Sequence, residues 1–123
     1  MLKIHARNLG NVTVLCLQGR LVNGETAALR DAIDSQSQVS SVVLDLARVS
    51  AVDARGLGVM LELRERIESK GISFKLMNVS RLVGRVLEVT HLDSVFEVTS
   101  GLAILPAVSR AHPASMFKLA PCA

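Results

Sequence analysis

A chain of 123 residues with a net charge of +3 is the length of one domain, and with half its residues hydrophobic it can bury a core without staples. Its 14 basic side chains are interspersed among 11 acidic ones, and its only aromatics are three Phe, which argues against a basic, stacking surface for nucleic acid. No apolar run reaches the ~18 residues that cross a bilayer, and Met1-Leu2-Lys3-Ile4-His5 lacks a signal-peptide core; a cytoplasmic protein without membrane insertion is expected.

Leu2 to Arg7 alternates apolar and polar residues, the pattern of a half-buried strand. Gly10-Asn11 is the tip of a hairpin, and Val12 to Leu17 is a second, antiparallel strand that ends by Gly19. Asn23 is expected to cap a first helix over Glu25–Asp34, with Leu29, Ala32 and Ile33 on its apolar face. The continuous apolar run from Val42 to Leu46 predicts a central strand, followed by a short loop over Val49–Asp53. Ala54 to Ser69 carries Leu57, Met60, Leu61, Arg64 and Ile67 at helical spacing, with Glu62–Arg66 and Arg64–Glu68 as i,i+4 pairs and Gly71 as the stop.

Ile72 to Met77 reads as a further strand, and Ser80 as the cap of a third helix with Leu82, Val83, Val86 and Leu87 facing inward. Val95–Val98 is a short edge strand or a connector. Thr99 or Ser100 is expected to cap a last helix that Pro106 ends or kinks. The order β-β-α-β-α-β-α-(β)-α predicts a single α/β domain over residues 1–110. Its mixed sheet has four to five strands, with parallel neighbours joined by right-handed crossovers and helices mainly on one face. Residues 111–123 read as a flexible C-terminal tail, with Met116-Phe117-Lys118-Leu119 covering an apolar patch or bridging a homodimer as the alternatives.

Cys16 and Cys122 lie far apart and are expected to be one buried thiol and one tail thiol in a reducing compartment. Neither has metal-ligand spacing, and His5, His91 and His112 are isolated, so no metal or cofactor is expected. No nucleophile–base pair or Walker-type loop is visible, which argues against an enzyme.

One stretch carries the functional reading. From Asp45 to Gly58 a buried strand leads through a tight connection into a helix with two glycines in its first turns, Gly56 and Gly58. Glycine in a helix costs about 1 kcal/mol relative to alanine, so the pair implies close approach of another backbone or another molecule. Asp53 has a structural role available to it as N-cap.

The run Asp53-Ala54-Arg55-Gly56-Leu57-Gly58, in this strand–helix context, resembles the Asp-Ser-x-Gly-[Leu/Ile]-Gly motif of STAS domains, particularly anti-sigma-factor antagonists. Gly19-Arg20-Leu21 and Lys75-Leu76-Met77-Asn78 add to the likeness, which extends over about residues 2–105. The resemblance implies a STAS-like fold and a regulatory module that binds an anti-sigma-factor kinase or another signalling protein. Its implied partner surface comprises Asn23, Gly24, Asp53, Ala54, Arg55, Gly56 and Leu57.

Two departures matter: the family's phosphorylated serine is Ala54 here, and Val22 stands where many members carry an acidic residue. Ala54, the phosphoacceptor-equivalent position, has no hydroxyl, so the resemblance implies binding without a phosphorylation switch at that position. A subunit of a lipid-transport ATPase or stressosome-type assembly is the alternative, and a nucleotide contact at the glycine-bearing helix end is a minor one.

Overall fold

The computed structural model describes residues 2–35 and 39–99. Strands β1 (Lys3–Leu9) and β2 (Val12–Leu21) form the antiparallel hairpin. Gly10 sits at its tip with φ +74°, a conformation that a side chain disfavours. Helix α1 (Ala27–Asp34), β3 (Ser41–Val52), α2 (Ala54–Glu68), β4 (Ser73–Met77), α3 (Arg81–Val89) and β5 (Glu97–Thr99) follow. The sheet order is β1-β2-β3-β4-β5, parallel from β2 onward.

A sheet whose parallel strands are laid down in sequence order, with crossovers of one hand, puts every connecting helix on the same side. That is what packs here. Leu15, Leu17, Val42, Leu44, Leu46, Phe74 and Leu76 from the strands meet Leu29 and Ile33 of α1, Leu57, Met60, Leu63 and Ile67 of α2, and Val83 and Leu87 of α3. The opposite sides of β1, β2, β3 and β4 carry a second, smaller apolar cluster of Leu9, Val12, Val14, Cys16, Val43 and Met77. The single α/β domain with a mixed sheet agrees with the sequence reading, and β5 settles the strand count at five.

Four details differ from expectation. Helix α1 begins at Ala27 behind Thr26, not behind Asn23, because Gly24 (φ +89°) turns the chain and Glu25 N–H closes that turn on the Val22 carbonyl. Strand β3 runs on to Val52, so residues 49–52 of the expected loop are strand and Asp53 alone separates β3 from α2: Gly19 of β2 pairs with Val49 beyond one register shift, and Arg20 and Leu21 pair with Ala51 and Val52 beyond a second. Leu82 points outward, at 54% exposed, because Val83 and Leu87 set the buried stripe of α3 one residue out of phase with it. Cys16 is disulfide-bonded rather than a free thiol.

The expected last helix after Thr99 and the tail over 111–123 lie outside the described residues. Among the described residues no helix is long and apolar enough to cross a membrane.

Helices α1 and α2 are also joined at their surfaces. Arg30 pairs with Glu62 at 3.1 Å, and Arg66 with Asp34. Arg64–Glu68 and Glu62–Arg66 hold along α2 as expected. These side chains remain partly exposed to solvent, so the pairs contribute little individually. Arg66→Ala is expected to lower stability by less than about 1 kcal/mol, read by urea titration, with the loss shrinking as salt is raised.

Candidate functional site

The mouth of α2 is built by two strand ends and one carboxylate. Strand β3 delivers the chain directly to Asp53, whose extended backbone (φ −111°, ψ −178°) lets its side chain fold over the first helical turn. Asp53 Oδ1 accepts the Gly56 N–H at 2.9 Å, the N-cap bond that satisfies an otherwise unpaired donor. Asp53 Oδ2 accepts the Asn23 N–H at 3.0 Å, which ties in the turn leading to α1. The Asp53 N–H in turn donates to the Leu21 carbonyl at 3.3 Å. One residue thus pins β2, β3, α2 and the connection into α1.

Gly56 explains half of the glycine pair. A Cβ there would lie 2.0 Å from the Leu21 carbonyl oxygen, so the helix can approach the end of β2 only without a side chain. Gly58 is different: a Cβ would meet nothing within 4 Å, and the residue is exposed. The first glycine is set by internal packing. The second leaves a bare helical surface.

The residues inferred from sequence divide accordingly. Asn23, Gly24, Ala54 and Arg55 are exposed, and Asp53 is partly exposed. Gly56 and Leu57 are buried under them, Leu57 inside the main core. A shallow groove runs between α1 and α2, walled by Asn23, Arg30, Ala54, Arg55, Gly58 and Glu62. Sequence reasoning missed Arg30, Glu62 and the open face of Gly58. An isolated i,i+4 pattern does not reveal which helix lies beside which.

The Asp53 carboxyl is held below its ordinary value of 3.8, first by the Asn23 N–H and then by the Gly56 N–H, against an opposing effect of burial. A depressed folded-state value means stabilisation that is complete above the unfolded value and fades as pH falls through the folded one. Asp53→Asn is therefore expected to lower the thermal midpoint at pH 7. The gap from the parent should narrow when both proteins are melted below pH 3.8. A gap unchanged across that window would mean that the charge contributes nothing.

A family model for the STAS domain matches residues 3–105. Among curated proteins, a probable sulfate transporter of Arabidopsis thaliana is 34% identical over 79 residues, covering 63% of this chain and 12% of the transporter. A putative anti-sigma factor antagonist homolog of Thermotoga neapolitana is 30% identical over 59 residues, covering 48% of this chain and 52% of the relative. The matched stretches thus span about half of one relative and a small part of the other.

Among solved structures, the anti-sigma factor antagonist SpoIIAA in its unphosphorylated form superposes with a TM-score of 0.69 at 20% identity, covering 90% of this chain and 97% of that one. The match over residues 3–105, the sequential sheet and the Asp-capped α2 agree, and the chain belongs to the STAS domain family.

Proposed function

We propose that this chain is a cytoplasmic, non-enzymatic regulatory module that docks a signalling partner, of the anti-sigma-factor kinase type, on the mouth of α2. The carrying observation is the exposed Ala54 methyl between Asn23 and Arg55, on a helix end whose capping carboxylate is already engaged at both oxygens. A carboxylate bonded to two backbone N–H groups acts as scaffold, not as acid or base. The surface it organises presents Asn23, Gly24, Ala54, Arg55 and the bare Gly58 to a visitor, with Gly56 and Leu57 supporting from below.

SpoIIAA is described in unphosphorylated and phosphorylated forms. In this chain Ala54 offers no hydroxyl, so binding continues without that switch. Incubation with an anti-sigma-factor kinase of the native host and ATP is expected to give a stable complex and no phosphate on residues 50–58. Ala54→Ser is expected to gain phosphate from the same kinase. Phosphate on the parent chain near residue 54, or no complex with any such kinase, would refute the reading.

The likeness to a sulfate transporter favours one second reading, a partner within a membrane transport assembly. Copurification of a permease or its ATPase in place of a kinase would select it, at the same surface.

A further inference from the structure

Helix α3 buries one apolar stripe and leaves a second one open. Val83 and Leu87 lie in the main core. Leu82 and Val89, on another side of the helix, are 54% and 71% exposed, and Val86 between them is half-buried. A helix that faces water ordinarily turns polar residues to that side, and one that is apolar on two sides is suited to being covered on both.

The open side has a shape as well as a composition. Arg81, Arg85 and Val89 follow one another at four-residue spacing, and Leu82, Val86 and Thr90 form the next such row. A shallow trough lies between the two rows, and its surface is almost wholly apolar. The arginines therefore contribute their aliphatic stems to the wall and hold their charged heads at the rim. The Thr90 hydroxyl is turned back on its own helix, donating to the Val86 carbonyl at 2.8 Å. Rows at this spacing are the ridges of an α-helix, and the channel between two of them is where a ridge of a second helix seats.

Charge narrows the choice of occupant. Neither Arg81 nor Arg85 has an ion-pair or hydrogen-bond partner among the described residues. Arg81 also stands in the first turn of α3, which holds no acidic residue and where the helix end disfavours a cation. Folding thus gives no reason for these two charges beside an apolar trough, whereas carboxylates on a visiting helix would pair with both. A second copy of the chain fits poorly. The rows centre on Arg85 and Val86, so a two-fold pairing of α3 with itself would set Arg85 beside its own copy. A lipid surface fits poorly too, because interfacial helices protrude with Trp, Phe or Leu, and this is a recess that no aromatic side chain lines.

We propose that the outer groove of α3 is a second protein-docking surface whose occupant is an amphipathic helix of another protein. That helix lays an aliphatic ridge in the trough and sets carboxylates beside Arg81 and Arg85. The surface is separate from the mouth of α2 and does not depend on what docks there.

The test titrates the full chain, labelled with nitrogen-15, with a synthetic helical peptide about 18 residues long. Its Leu residues repeat at helical spacing with Glu beside them, and a twin peptide carries Lys in place of Glu. The Glu peptide is expected to shift the amide resonances of residues 81–90 and to bind about tenfold more tightly than its twin, an advantage that shrinks as salt is raised. Arg81→Glu combined with Arg85→Glu should reverse the preference. Leu82→Gln combined with Val89→Gln should weaken binding of the Glu peptide at least about fivefold. The melting temperature should hold, because both side chains are exposed. Ala54→Asp should leave peptide binding unchanged. Equal binding of the two peptides, a preference that survives the double arginine exchange, binding lost in Ala54→Asp, or no shift at millimolar peptide would overturn the proposal. Cosedimentation with phosphatidylglycerol vesicles that the Leu82→Gln and Val89→Gln pair abolishes would replace the protein partner with a lipid surface, and a dimer that the same pair dissolves would replace it with a second copy.

Discussion

Gly56→Ala should destabilise the fold by about 3 kcal/mol, at the upper end of what overpacking a rigid site produces, whereas Gly58→Ala two residues later should stabilise it. The new methyl at 56 would sit 2.0 Å from the carbonyl oxygen of Leu21, and that obstacle is backbone. Leu21 is fully buried, and its carbonyl already accepts the Asp53 N–H, so the strand end cannot retreat without breaking the lacing that fixes the helix. At position 58 there is open space, and alanine recovers up to ~1 kcal/mol of helix propensity. Thermal melts of the two variants read opposite signs. For a domain of this size the Gly56 variant should lose on the order of 10 °C. Equal effects from both substitutions would refute the close-approach explanation.

Ala54→Asp is expected to leave the melting temperature nearly unchanged while weakening the complex with an anti-sigma-factor kinase at least tenfold. The position is exposed in the first turn of α2, where a carboxylate is favoured by the helix end, so folding has no reason to suffer. On the proposed docking surface, a partner that seats a methyl beside Arg55 would instead meet a desolvated charge, and burying an unmatched charge is among the stronger penalties available to an interface. Arg55→Ala serves as the companion variant: it removes a charge that no helix N-terminus favours, so a gain in stability accompanies any change in binding. Calorimetric titration of the three proteins against one kinase separates the effects. Binding indifferent to Asp at 54 would place the docking surface elsewhere.

The elements legible in the sequence were those written in local chemistry. The hairpin at Gly10-Asn11, Asp53 and Ser80 as N-caps, and the helix that stops at Gly71 all rest on residues within a few positions of one another. What escaped was set at a distance. Nothing near Val49 says that β3 continues, because the pairing that extends it comes from Gly19, Arg20 and Leu21.

Asn23 has the side chain of a helix cap, but its backbone N–H is claimed by Asp53, thirty positions away, and the helix starts later. Leu82 fits an apolar stripe as well as Val83 does; only the sheet beneath decides between them. The site followed the same rule. Its motif could be read as a string, yet which residues of the string reach the surface depended on the carbonyl of Leu21.

As the proposed docking end, a helix mouth fastened at once to two strands, a helix and a turn would arrive at a partner already in shape. Association then orders little additional chain, so most of the gross contact energy is retained as affinity. It also leaves this chain with little to alter on its own account at that end. Timing of the complex would accordingly be governed by how much of each protein the cell makes, and by whatever state the partner itself has adopted.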